Sequence, residues 1–183
     1  TGLTEMETAK WKEVQEKIYL PRKEGTKLLE QFEGYFELDN VTIEKYDEND
    51  WPIRPEALKT KKAKETQINK QADVVMLLHL MGNEFDDETI KENYAYYEKR
   101  TLHGSSLSPS IYSVMGLKVG DDSKAYRYLR RAAFIDLLNM QGNTREGIHA
   151  ANTGGVWQTI VFGFAGVSQR EDGKLRVCPN MPE

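Results

Sequence analysis

Residues 100–110 read Arg-Thr-Leu-His-Gly-Ser-Ser-Leu-Ser-Pro-Ser, a histidine, a glycine and four serine hydroxyls between two segments with helical patterning. Ser108 followed by Pro109 has the chemistry of a helix start, with a hydroxyl at the N-cap and a proline at the first helical position. Ser105, Ser106 and His103 therefore stand just in front of a helix N-terminus. There, unpaired backbone N–H groups and the positive end of the helix dipole make a site for an anion. Two other polar stretches precede apolar helical segments. One holds Lys70, Gln71 and Asp73; the other, 141–155, holds His149 and a Gly154-Gly155 pair ahead of the apolar run 156–165.

Taken singly, each of these residues has an ordinary explanation. Ser105, Ser106 and Ser108 serve as caps and turn formers, and His103 and His149 as hydrogen-bonded structural histidines. His79, inside an apolar segment, reads as a satisfied core residue. Lys70 and Asp73 are spaced for a local ion pair at i and i+3. Trp157 and the Tyr94, Tyr96, Tyr97 cluster read as packing. The conjunction favours function, because three loops with hydroxyl, amide, glycine or cationic groups fall at corresponding places. Two serines, a histidine and helix N-termini can together neutralise a phosphate without a metal. A zinc site is disfavoured by three scattered histidines and one cysteine, and no phosphate-binding or dinucleotide glycine motif or serine-nucleophile elbow is present.

The elements that must position these loops read as helices. Thr4 and Glu7 form a capping box ahead of a helix to about residue 19, with Glu7, Trp11, Val14 and Ile18 on one face, three of the four apolar, and Pro21 as its stop. Leu28, Leu29, Phe32, Tyr35 and Phe36 around Gly34 predict a short helix breaking into a loop. The charged stretch 37–64, with Pro52 and Pro55, predicts a long surface excursion. From Ile68 a helix apolar nearly all round follows, with Ile68, Ala72, Val75 and Leu78 along one side. Asp86-Asp87-Glu88 starts a polar helix that buries Ile90, Tyr94 and Tyr97. After the serine loop an apolar helix carries Ile111, Val114, Met115 and Leu117, and Gly120-Asp121-Asp122 closes it and caps a helix with Ala125, Leu129, Ala132 and Ile135 on one face. Alternation around Glu171-Asp172-Gly173-Lys174 predicts a β-hairpin over 167–177. The alternation of apolar and amphipathic helices suits two layers. If neighbours run antiparallel, the inner helices share a direction and the three polar loops converge at one end.

A chain of 183 residues with 39% hydrophobic and 30% charged residues suits one soluble globular domain, and its net charge of −4 leaves no basic footprint for nucleic acid or an anionic membrane. The single cysteine, Cys178, excludes an internal disulfide and fits a reducing, cytoplasmic setting. No apolar run is long enough to span a membrane and the opening residues lack signal-peptide zones. The start at Thr1 reads as processing or as a piece of something longer.

Lys70-Gln71-Ala72-Asp73-Val74, then the run from Tyr97 through Leu102-His103-Gly104-Ser105-Ser106 to Ser108, then Gly147-Ile148-His149-Ala150-Ala151 with Gly154-Gly155-Val156-Trp157, resemble glycoside hydrolase family 65. Gln31-Phe32-Glu33-Gly34-Tyr35 and Gly163-Phe164-Ala165-Gly166 extend the likeness over nearly the whole chain. That family holds the inverting phosphorylases of maltose, trehalose, kojibiose and nigerose. The resemblance implies an all-α fold, a portion of an (α/α)6 barrel over 1–166, with a short C-terminal β-hairpin over 167–183 leading into a β-domain beyond the chain. It implies that Lys70 and Gln71 hold the glucosyl unit and that Ser105, Ser106 and His149 hold phosphate. The general-acid glutamate is expected upstream of Thr1, so Glu33, Glu98 and Glu146 are not assigned that role and the isolated chain is expected to be inactive. The implied partners are an α-linked glucose disaccharide and inorganic phosphate, with no cofactor, and the wording leans toward the kojibiose and trehalose enzymes. A homodimer is expected for the full-length protein. A trehalase-like hydrolase of the same family and a non-catalytic helical sugar-binding scaffold are the alternatives.

Overall fold

A computed structural model describes residues 2–49, 51–170 and 172–181. Thr1, the last two residues of the hairpin region and Glu171 of its predicted turn lie outside the described residues. The chain forms α1 (Glu5–Lys17), α2 (Asp73–Leu80), α3 (Asp87–Glu98), α4 (Ser108–Val119), α5 (Asp122–Phe134) and α6 (Ala150–Gln158), which runs on as a π-helical segment over Thr159–Phe164. A hairpin of β1 (Val167–Gln169) and β2 (Leu175–Val177) follows, antiparallel with Val167 opposite Val177.

Local signals set the helix ends. Thr4 and Glu7 make the predicted capping box, the Glu7 N–H donating to Thr4 Oγ1 at 3.2 Å and the Thr4 N–H to Glu7 Oε2 at 2.9 Å. Asp86 caps α3 by accepting from the Thr89 N–H at 2.7 Å. Gly120, left-handed at φ 85°, ends α4, and Asp121 caps α5 through the Lys124 N–H.

Helices α2 to α6 stack in two layers, as expected for a portion of an (α/α)6 barrel, while α1 buries no residue. Val75 and Leu78 of α2 pack with Ile111, Tyr112 and Met115 of α4, against Ile90, Tyr94 and Tyr97 of α3 and Tyr128 of α5. Contacts fix the directions of the inner helices. The stretches leading into α2 and α4 run parallel, the Asn69 N–H donating to Arg100 O at 2.7 Å, the Leu102 N–H to Asn69 O at 2.9 Å and the Gly104 N–H to Lys70 O at 2.9 Å. Helices α4 and α6 also run parallel. Gly155 lies against Ser110, where a Cβ would sit 2.5 Å from Oγ, and Gly163 lies against Leu117 further along. The N-termini of α2, α4 and α6 thus share one end, as the three-loop reading requires.

Several expectations are corrected. The 28–36 segment is not a helix. Its backbone is held by α3 instead, with Asn93 accepting from the Leu29 N–H at 2.8 Å and the Tyr97 hydroxyl donating to Leu29 O at 2.5 Å, and Gly34 at φ 83° turns the chain into a short 3-10 turn, Tyr35–Glu37. The 37–64 stretch is exposed over most of its length but anchored. Ile43 and Leu58 form a second small core with Ile68, and the Arg131 guanidinium lies 3.3 Å from the centre of the Trp51 ring. Helix α2 starts at Asp73 rather than near Ile68, because Asn69 and Lys70 are committed to the parallel pairing with the serine loop. The Gly154-Gly155 pair belongs to α6, where the missing side chain at Gly155 permits the close approach to Ser110. The largely apolar face of α1 is uncovered: Trp11, Val14 and Ile18 are each more than half exposed, as are Leu80 of α2 and Trp157 of α6. Apolar spacing marks a face but not what covers it.

Candidate functional site

The shared end of the inner helices is built on backbone pairing. The parallel ladder leaves Lys70 beside Gly104, with Lys70 Cγ 3.3 Å from where a Cβ of Gly104 would lie. Lys70 is exposed and, among the described residues, has no carboxylate at ion-pair distance, so the predicted pair with Asp73 does not form. Asp73 instead accepts from Gln71 Nε2 at 3.1 Å and from Gln31 Nε2 at 2.8 Å, which fixes the Gln71 amide. A cleft of about 420 Å³ opens here, lined by Gln31, Phe32, Lys64, Lys70, Gln71 and Asp73.

At the start of α4, the Ser108 N–H closes a turn onto Ser105 O at 3.2 Å. Ser105 Oγ has only a long contact from the Leu107 N–H, at 3.4 Å. Among the described residues nothing accepts from the backbone N–H of Ser105 or Ser106, and the Ser106 hydroxyl has no partner. Both serines are partly exposed, so these donors are open to solvent or to a ligand at a helix N-terminus. Ser108 departs from its predicted capping role, because its hydroxyl turns inward to His103 Nδ1 at 2.8 Å.

His149 stands immediately before α6. Its Nδ1–H donates to Asp136 Oδ1 at 2.5 Å and its backbone N–H to Oδ2 at 2.8 Å. These two bonds, the side-chain one first, hold the Asp136 carboxyl below its ordinary value. The other ring nitrogen, Nε2, has only the Asn143 amide nitrogen nearby, at 3.5 Å. Asp136 was not a candidate from the sequence. It is a lone acid at the end of an amphipathic helix, and its partner is 13 residues on, across a loop that carries no periodic signal. Among the described residues no hydrogen bond joins Lys70, Gln71, Ser105, Ser106 or His149 to another of the five.

Residues 1–158 match the family model described as the glycosyl hydrolase family 65 central catalytic domain. The chain belongs to glycosyl hydrolase family 65. It is 56% identical over 182 residues to a kojibiose phosphorylase of Caldanaerobacter subterraneus subsp. tengcongensis, covering 100% of this chain and 24% of that one. It is 55% identical over 181 residues to the kojibiose phosphorylase of Thermoanaerobacter brockii, covering 99% of this chain and 23% of the relative. A solved structure of a proposed kojibiose phosphorylase from the human microbiome superposes with a TM-score of 0.80 at 34% identity, covering 98% of this chain and 24% of that one. The chain thus spans about a quarter of the length of the relatives it matches. All five predicted site residues fall inside the stretch matched by the family 65 model.

Of Glu33, Glu98 and Glu146 in this family 65 chain, only Glu98 is buried. Glu98, 4% exposed, accepts from the Tyr128 hydroxyl at 3.1 Å and pairs with Lys124 at 3.0 Å. Glu33 and Glu146 are exposed, the latter in a 3-10 turn, Thr144–Glu146. A larger cavity of about 550 Å³, lined by Ile43, Tyr46, Glu98, Lys124, Tyr128 and Arg131 among others, contains none of the five predicted residues. It lies against the outer helices α3 and α5, while the five stand at the ends of the inner ones. Tyr94 and Tyr97 are buried packing residues as expected, whereas His79 is only half-buried, with burial and then the Lys118 charge pushing its pKa down.

Proposed function

We propose that the protein containing this chain is a disaccharide phosphorylase that cleaves an α-linked glucose disaccharide by inverting phosphorolysis, giving β-glucose 1-phosphate and a free sugar. The names and 55–56% identity of the two relatives favour kojibiose as the disaccharide. The observation that carries the reading is the set of unpartnered N–H and hydroxyl donors of Ser105 and Ser106 at the α4 N-terminus. That terminus shares an end with the carboxylate-held His149 at the start of α6.

In this reading Ser105, Ser106 and, in its doubly protonated form, the His149 Nε2–H donate to phosphate, and Asp136, accepting from Nδ1–H, holds the ring in the orientation that presents Nε2. Lys70 and Gln71 bind hydroxyls of the glucosyl unit so that its anomeric carbon faces the phosphate. One phosphate oxygen attacks that carbon as the bond to the leaving oxygen breaks, and the configuration inverts in a single displacement. An inverting hydrolase needs a carboxylate to activate water. Here phosphate is already the nucleophile, so hydroxyls and N–H groups suffice and no cofactor is needed. As the family 65 resemblance implies, the proton for the leaving oxygen comes from a general acid outside these residues; Glu98 is tied to Tyr128 and Lys124. The isolated chain is accordingly inactive, and the whole enzyme is a cytoplasmic homodimer in this reading.

Product analysis tests the assignment. The full-length protein should form β-glucose 1-phosphate from kojibiose only when phosphate is present, and the isolated chain should form none. Release of two free sugars without phosphate would identify a hydrolase of the same family instead. In the full-length protein Ser106→Ala should raise the KM for phosphate roughly ten- to hundredfold, the equivalent of losing a hydrogen bond to a charged group at about 1.5–3 kcal/mol.

A further inference from the structure

His103 touches none of the proposed ligand-binding atoms, yet it stands at the turn that carries them. It is 1% exposed. Its φ of 52° places a non-glycine residue in the left-handed region, where the chain leaves the ladder with Asn69 and Lys70 and enters the turn of Ser105 and Ser106. A conformation of that kind persists only where its surroundings over-determine it. Here both ring nitrogens are used. Nδ1 meets Ser108 Oγ at 2.8 Å, and Nε2 meets the Tyr128 hydroxyl at 3.1 Å. The ring also stands edge-on to Tyr112 at 4.9 Å between centroids.

The direction of these bonds follows from the far end of the chain. Glu98 accepts from the Tyr128 O–H, so the Tyr128 oxygen is left to accept from His103 Nε2–H. Nδ1 then carries no proton and accepts from the Ser108 O–H. Burial first, and then the Arg131 charge, pushes the imidazole pKa well below its ordinary value, in keeping with this neutral tautomer. The series Lys124, Glu98, Tyr128, His103, Ser108 therefore ties α3 and α5 to the first residue of α4.

We propose that His103 is the positioning residue of the phosphate loop: bridged between Tyr128 and Ser108, it holds the left-handed turn that aims the Ser105 and Ser106 donors outward. The proposal rests on the reading of those serines as the phosphate site. Loss of the bridge lets the turn relax toward ordinary backbone geometry, so phosphate binding weakens while the glucosyl contacts of Lys70 and Gln71 are retained.

Tyr128→Phe, His103→Asn and His103→Ala in the full-length enzyme test this, with Ser106→Ala run beside them. Tyr128→Phe keeps the ring packing and removes the acceptor. It should raise the KM for phosphate by roughly three- to tenfold and leave the KM for the disaccharide within about twofold. His103→Asn keeps a side chain that favours the left-handed region and should restore much of what His103→Ala loses. A merely structural histidine predicts lowered melting temperatures with both KM values unchanged, and that result overturns the proposal. An elevated phosphate KM in Ser106→Ala but in none of the other three also overturns it, while leaving the phosphate site standing. An unchanged phosphate KM in all four variants sinks the phosphate site and the positioning role together.

Discussion

Two histidines at the same end of the helical layers differ in every respect that matters to a ligand. His103, before α4, is enclosed by Tyr112 and Tyr128, and each ring nitrogen meets a hydroxyl of this chain. His149, before α6, has a side chain 21% exposed, and one nitrogen is held by a carboxylate while the other has only a distant amide. A ring whose polar atoms are all satisfied by the fold can shape a loop but cannot bind. A ring anchored through one nitrogen is oriented and still has an atom to offer. The difference teaches that partner counting, more than residue type, separates a positioning group from a ligand-binding one.

Among single substitutions, removing the offered atom should have the largest effect. His149→Ala in the full-length enzyme should raise the phosphate KM on the order of a hundredfold, and steady-state kinetics at varied phosphate will measure it. Freeing the ring from its anchor comes next. Asp136→Asn should raise the same KM about tenfold with a smaller change for the sugar. Equal effects on both substrates would show that Asp136 supports the fold and not His149.

The enclosed histidine makes its own prediction on the acid side. Because its folded pKa lies well below the ordinary value, the unfolded chain takes up a proton that the folded chain refuses as the pH falls through about 6.5. That contribution to stability is complete above this pH and is lost progressively below it. The half-buried His79 acts in the same direction. Urea midpoints should therefore fall between pH 7 and pH 5, and less steeply in His103→Asn; parallel curves for the two proteins would contradict the buried neutral ring. Asp86 supplies the smallest and most acidic effect. The Thr89 N–H, then Lys27, lower its pKa to about 2, so its contribution is present above the ordinary carboxylate range and disappears only as the pH falls toward 2.

Signals confined to a few neighbouring residues were legible in the sequence. The Thr4–Glu7 box, the Asp86 and Asp121 caps and the Gly120 stop all appear where their residue types place them. So does the layering of apolar and amphipathic helices, and with it the shared end of three polar loops. What escaped depends on partners distant in the chain. Helix α2 starts late because Asn69 pairs with the serine loop some thirty residues on. Ser108 has the composition of a cap, but a buried imidazole competes for its hydroxyl. The Gly154-Gly155 pair suggested a loop, whereas Gly155 serves the close crossing with α4. Replacing it by alanine should lower stability by about 1–3 kcal/mol, since a Cβ there lies 2.5 Å from Ser110 Oγ. The faces of α1 and α6 were correctly read as apolar, and Trp11 and Trp157 remain exposed on them.

The phosphate dependence of disaccharide cleavage in a Ser105→Ala/Ser106→Ala variant of the full-length enzyme tests the anion-loop assignment most directly. With both hydroxyls gone, the phosphate KM should rise roughly a hundredfold or more while the disaccharide KM stays near that of the parent. A parent-like phosphate KM in that variant would contradict the assignment of the α4 N-terminus as the phosphate site.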